Sequence, residues 1–183
     1  MCRIYSAIVS DFFIEDSLPS SNLISFKCFS RWNRKNDIAK LGTITGSSWV
    51  HYSSDERSFD MIKDGFYCPK IESHLYHSDA FDKPWVQIDL GNFYSIKCIR
   101  IITRDKAVYI DHGFNQVEIR FGNFSGESSI SSNVLLKTVK SPDFNTIIEI
   151  CPKVNIFGKF LFFQSIQSGS HGLILPEVQI LVK

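Results

Sequence analysis

The chain has 183 residues, 44% of them hydrophobic and 21% charged, with 20 Lys and Arg against 19 Asp and Glu for a formal net charge of +1. That length suits one domain of about 150 residues with a short extension and a core of its own. Near-neutral charge without a clustered basic excess argues against a phosphate-neutralising surface and so against a nucleic-acid partner. No apolar run approaches the roughly 20 residues of a membrane-spanning helix, so an integral membrane protein is not expected.

Residues 1–35 read as an N-terminal extension, expected to be a solvated, poorly ordered arm. Ser17, Pro19, Ser20 and Ser21 make a loop-type cluster, and Arg31, Arg34 and Lys35 form a small basic run around Trp32. Residues 1–10 hold one Arg and a short apolar stretch, but Asp11, Glu15 and Asp16 follow and no small-residue cleavage site stands out, so no signal peptide is read there. From Asn36 to the end, short apolar or alternating runs recur at 85–90, 96–103, 114–121, 134–139, 146–151, 159–164 and 173–182, with no long helical period between them. Alternation puts Ile99 and Ile101, then Val117, Ile119 and Phe121, on one face and sends Arg100, Glu118 and Arg120 to the other. Half-buried antiparallel strands have this pattern. With turn chemistry at Asp64-Gly65, Gly91-Asn92 and Gly122-Asn123, the reading is an all-β, antiparallel β-sandwich over residues 36–183. Five cysteines, Cys2, Cys28, Cys68, Cys98 and Cys151, are too few and too widely spaced for a disulfide-dense scaffold, and they do not reveal the compartment.

The run Pro84-Trp85-Val86-Gln87-Ile88-Asp89-Leu90-Gly91, followed by Tyr94-Ser95-Ile96-Lys97-Cys98-Ile99-Arg100, resembles the central signature of discoidin or coagulation-factor type C domains. An opening segment at 36–48, the Asp64-Gly65 turn and the closing Leu175-Pro176-Glu177-Val178 sit where that family has its other landmarks. The resemblance covers 36–183 and implies a jelly-roll sandwich of the galactose-binding type. Within the superfamily the chain is most similar to fucolectins, the F-type lectins. Their pattern is a His, about 26 intervening residues and then an Arg, and here His77 precedes Arg104 by that interval and runs without a gap into Pro84-Trp85. The chain departs from the pattern after Arg104: Asp105 and Lys106 follow, Ala107 and Val108 stand where vicinal cysteines pack on the sugar, and Asp111-His112 replaces the second basic position. A further cysteine pair of the family is replaced at both ends, by Leu75 and Pro176. Cys151 keeps the place of another family cysteine, and no partner for it is evident.

The resemblance implies a carbohydrate-recognition module with a divergent fucose site made by His77, Arg104, Asp105 and His112. The residue chemistry suits a neutral sugar: Arg offers five N–H donors in a fixed fork, and neutral imidazole both donates and accepts. As alternatives, Arg104 pairs with Asp79 or Asp105 at the surface, and His77 is a solvated loop residue. The family also implies a structural calcium ion, with Asp64 and Glu177 as its carboxylates, although Phe66 stands where an amide ligand is expected and hard cations take about 6 to 8 oxygens. Implied partners are fucosylated or other glycans, with several sites needed for avidity, and the implied location is extracellular, with a cytoplasmic one as the alternative because no signal peptide is read.

Other constellations compete with these. Cys68, Glu72, His74 and His77 are dense enough to raise zinc, but their spacing fits no closed motif and loop polar residues account for them. No Gly-x-Ser-x-Gly, His-Glu-x-x-His or phosphate-binding Gly-rich loop is present, so no enzyme is expected. Trp49, Tyr52, Phe66 and Tyr67 supply the alternative function, a discoidin-type module that binds protein or anionic lipid through aromatic loops; as packing residues they would instead plug the end of the sandwich. Trp85 is expected to pack beneath its strand. Asn123-Phe124-Ser125 is a glycosylation sequon that matters if the chain is secreted.

Overall fold

β-branched and aromatic residues at alternate positions favour a pleated, half-buried backbone, and strands form at nearly every run that has them. The computed structural model describes residues 36–49, 58–65, 75–80, 82–103, 114–140 and 147–183, together with the backbone of 2–6, 12–16, 26–30, 66, 67 and 81. In chain order the strands are β1 (Cys2–Ser6), β2 (Phe12–Asp16), β3 (Phe26–Ser30), β4 (Thr43–Gly46), β5 (Phe66–Tyr67), β6 (Tyr76–His77), β7 (Phe81–Asp82), β8 (Trp85–Ile102), β9 (Val117–Gly122), β10 (Val134–Val139), β11 (Ile147–Ile150), β12 (Phe157–Ser165), β13 (Ser170–His171), β14 (Ile174–Leu175) and β15 (Glu177–Val182). Short 3-10 helices cover Ala39–Leu41, Phe59–Lys63 and Glu127–Ser132.

All the strand pairings are antiparallel, and β8 belongs to both layers of the sandwich. Its first half pairs with β4 and β12 in the order β10-β9-β12-β8-β4, and its second half pairs with β11 and β15. The crossing point is where the sequence has its Gly-Asn turn. Residues 90–93 stand outside the β12 ladder, between the pairs Asp89↔Phe160 and Tyr94↔Gly158. Gly91 takes φ +77° there, a conformation that L side chains resist, and its N–H donates to Asp89 Oδ1 at 2.8 Å.

One hydrophobic cluster joins the layers. Val86, Ile88 and Leu90 from the first half of β8 share it with Ile99 and Ile101 from the second, and with Val117, Ile119, Phe121, Leu161, Phe163, Val178 and Ile180. The alternation expected at Ile99, Ile101, Val117 and Ile119 is therefore present, with all four at 0% exposure. Facing outward, Arg100 donates to Glu149 at 2.7 Å and Arg120 to Glu118 at 2.8 Å. The Arg120 pair is half-buried and the Arg100 pair exposed; an exposed pair is worth about 0–1 kcal/mol, so the fold rests on the apolar cluster.

Three details depart from the sequence reading. Gln116 has φ +48°, so β9 begins at Val117 rather than at 114. Pro176, which has no N–H to give a ladder, separates β14 from β15 inside the expected run 173–182. Trp85 is half-buried on the outer face of β8, its ring 6.3 Å from that of Phe162, whereas its neighbour Val86 enters the core.

Cys151 does have a partner. Ile150 pairs with Ile99 across β11 and β8, which brings the next residues, Cys151 and Cys98, opposite each other, and they form a disulfide with Cα atoms 4.2 Å apart. Within residues 1–35, β1, β2 and β3 continue through β5 in the sheet order β1-β2-β3-β5. Asp37, which is buried, opens the main unit: its Oδ1 accepts the N–H groups of Ala39 and of Ile180 in β15.

Candidate functional site at one end of the sandwich

Serine hydroxyls draw several chain segments to one end. Ser47, just past β4, exchanges bonds with the backbone of Trp85: its Oγ donates to Trp85 O and accepts from Trp85 N, both at 3.2 Å. Ser48 O accepts the Tyr76 phenol at 2.8 Å, and Ser48 Oγ accepts the Asp79 N–H at 3.1 Å. Buried Ser78 accepts the Leu173 N–H on its Oγ at 2.8 Å, while its own N–H donates to Leu173 O at 3.0 Å. Just beyond Leu173, Leu175 pairs with Tyr76, and Glu177 pairs with Ile102 at the close of β8. The start and the finish of β8 thus meet at the same end, and residues 47–49, 75–85, 102–103 and 165–177 surround it.

His77 is placed there by two constraints. As the second residue of β6 it is opposite Ile174, with its side chain directed away from that of Tyr76, which is fully buried. Tyr76 stacks on Phe59 with centroids 5.3 Å apart, and Phe59 meets Trp49 edge-on at 4.8 Å, so an aromatic plug fixes the inner side of the strand. On the outer side the imidazole lies against Gly172, where a Cβ would come within 2.8 Å of His77 Nε2. A methyl there would have to displace the ring from this position. Burial pushes the Tyr76 phenol well above its ordinary pKa, so it remains a neutral donor to Ser48 O.

Glu177 and Asp64 also come together. Glu177 is 2% exposed, and its Oε2 accepts the N–H of Gly65 at 3.0 Å, which brings the turn after Phe59–Lys63 onto the head of β15. Asp64, exposed and in the αR conformation, closes that 3-10 helix next to Gly65.

Of the remaining expected residues, Arg104, Asp105 and His112 lie outside the described residues; the last described residue before them, Thr103, is buried. So do Tyr52, Cys68, Glu72 and His74. Trp49 is half-buried against the core rather than standing out as an apolar spike. Among the described residues, the one His/Cys/Asp/Glu group with ligand-like spacing is Cys98, Glu149 and Cys151, and its two sulfurs are joined as the disulfide. Sequence reasoning missed Gly172 and Ser78. Their partners are 95 positions away in both cases, and a Gly or Ser in a polar loop carries no local mark of such a contact.

No family model and no curated protein matches the chain. Solved structures do. A fucolectin from striped bass (Morone saxatilis) serum superposes with a TM-score of 0.68 at 19% identity, over 80% of this chain and 48% of that one, so this chain spans about half of the bass lectin's length. A fucose-binding module from Streptococcus pneumoniae gives 0.61 at 19% identity over 80% and 98%. The lectin domain of lectinolysin, as a mutant complexed with Lewis b, gives 0.63 at 15% identity over 80% and 96%. The chain has the discoidin-like jelly-roll β-sandwich fold of these proteins.

Proposed function

We propose that the chain is a carbohydrate-recognition module that takes fucose, or a sugar presenting similar hydroxyls, at the end of the sandwich where β6 meets β14. The observation that carries this reading is the placement of His77: a polar ring on a strand pair and against a glycine, at the end where β8 finishes. An imidazole can donate to or accept from a sugar hydroxyl, and the Arg104 fork would complete the grip on a neutral ligand. Asp105 and His112 follow in the sequence and belong to the same proposed site. The module acts without catalysis, by presenting donors on a rigid scaffold.

The proposal includes calcium as a structural ion. Asp64 and Glu177 would hold it, since a buried carboxylate on β15 and an exposed one on the facing turn suit a hard cation that takes oxygen ligands. Such an ion would fix the 64–65 turn, from which the chain goes on towards β6. An extracellular location is part of the same reading, supported by the Cys98–Cys151 bridge, because disulfides persist in oxidising compartments.

Capture on fucosylated beads tests the proposal. Wild-type protein is retained and released by free fucose, and Arg104→Ala is not retained although it melts like the wild type. Equal retention of Arg104→Ala and wild type would contradict the site.

A further inference from the structure

The end of the sandwich away from His77 has a different surface. There β9 stops at Gly122, β8 crosses between layers at 90–93, and β12 begins at Phe157. Because Phe160 pairs with both Asp89 and Gly122, the segments just beyond that row share one edge. They expose Phe93 at 64%, Phe124 at 55% and Phe157 at 63%, with Val154 in the loop before Phe157 also exposed. Several large apolar groups at one end of a domain call for a cover.

The chain's single Asn-x-Ser/Thr triplet, Asn123-Phe124-Ser125, lies within this surface. Buried Asn133 shapes the turn that holds it. Asn133 Oδ1 accepts the Phe124 N–H at 3.1 Å, and its Nδ2 donates to Phe124 O at 2.9 Å and Ser129 O at 3.0 Å. With both backbone groups of Phe124 engaged, the turn leaves Asn123 and Ser125 exposed on either side. The Cys98–Cys151 disulfide is an independent sign of an oxidising compartment, and in eukaryotes the secretory lumen that forms disulfides also attaches N-glycans.

We infer that Asn123 is an N-glycan acceptor and that its glycan covers the apolar end formed by Phe93, Phe124, Val154 and Phe157. In the transfer, Asn123 Nδ2 attacks C1 of the reducing sugar of a lipid-pyrophosphate-linked oligosaccharide. A C1–N bond forms, the C1–O bond to the pyrophosphate breaks, the lipid pyrophosphate leaves, and the amide gives up one proton. The glycan stands a β9 length, about 20 Å, from the His77 end, so it leaves that end open.

The test is to secrete the full chain from mammalian cells behind an added leader and to measure its intact mass before and after PNGase F. One PNGase F-sensitive mass step is expected, absent in Asn123→Gln and Ser125→Ala, with Asn123 converted to Asp in the released peptide. If little protein reaches the medium, the same mass step is read on protein from the microsomal fraction. Unmodified Asn123 in chains that carry the Cys98–Cys151 bridge would overturn the assignment. Deglycosylated protein is expected to bind more of an apolar dye and to self-associate in sedimentation; occupancy without either change would overturn the covering role. Because neither readout uses fucose, failure here is distinct from failure of the lectin reading.

Discussion

The two ends of the sandwich are built from the same strands but held in different ways. At the His77 end, side-chain hydroxyls of Ser47, Ser48 and Ser78 bind backbone from distant segments, and an aromatic plug of Trp49, Phe59 and Tyr76 supports them from within. At the Asn123 end, a layer crossing at Gly91 and a turn gripped by Asn133 close the chain locally and leave aromatic rings in solvent. A polar ring such as His77 can be placed to a fraction of an ångström only where the backbone beneath it is tied at several points. The difference supports the proposed recognition at the first end and the proposed glycan cover at the second.

The core common to both ends should show the largest effect of any change. Ile101→Ala removes a fully buried side chain that lies between the layers and is expected to cost about 2–5 kcal/mol in urea denaturation. A near-neutral result would mean that β8 has been placed one residue out of register. Next comes the bridge: replacing Cys98 and Cys151 together by Ser should cost about 2–4 kcal/mol. It should also leave fucose affinity unchanged, since the bridge lies outside the hydroxyl-tied end. A parallel loss of binding would show that the two ends are coupled.

Calcium sharpens the comparison at smaller scale. If Asp64 and Glu177 hold the ion, calcium at ten times its Kd stabilises the native state by about 1.4 kcal/mol, read as a higher melting temperature than with chelator. An identical melting temperature across millimolar calcium would remove the metal. The smallest expected change in stability, under about 1 kcal/mol, comes from Gly172→Ala, because the new methyl meets the movable ring of His77 rather than backbone. Its effect on fucose binding should nonetheless be a tenfold loss or more, and unchanged affinity would release His77 from the site.

Much of the fold was legible because burial imposes a period of two. Ile99, Ile101, Val117 and Ile119 alternate with charged residues, and the sheet they form follows. What was not legible depended on register or on distant contact. Cys98 faces Cys151 only because Ile99 faces Ile150, a pairing that no property of either cysteine shows. Trp85 beside Val86 offers no sign of which residue turns inward until β12 is in place. For the site, His77 was visible through its interval to Arg104 and its run into Pro84-Trp85, while Gly172 between β13 and β14 and the bonds of Ser78 to Leu173 were not.

The central claim, that the His77 end receives the sugar, is tested most directly by titrating isotope-labelled protein with L-fucose and following backbone amide shifts. The account predicts saturable shifts with a Kd of about 0.1–1 mM, as suits a shallow exposed site. Those shifts should be confined to residues such as His77, Ser78, Thr103 and Gly172 and should vanish in His77→Ala. Shifts centred on Phe93, Phe124 and Phe157, or no shifts at tens of millimolar fucose, would contradict it.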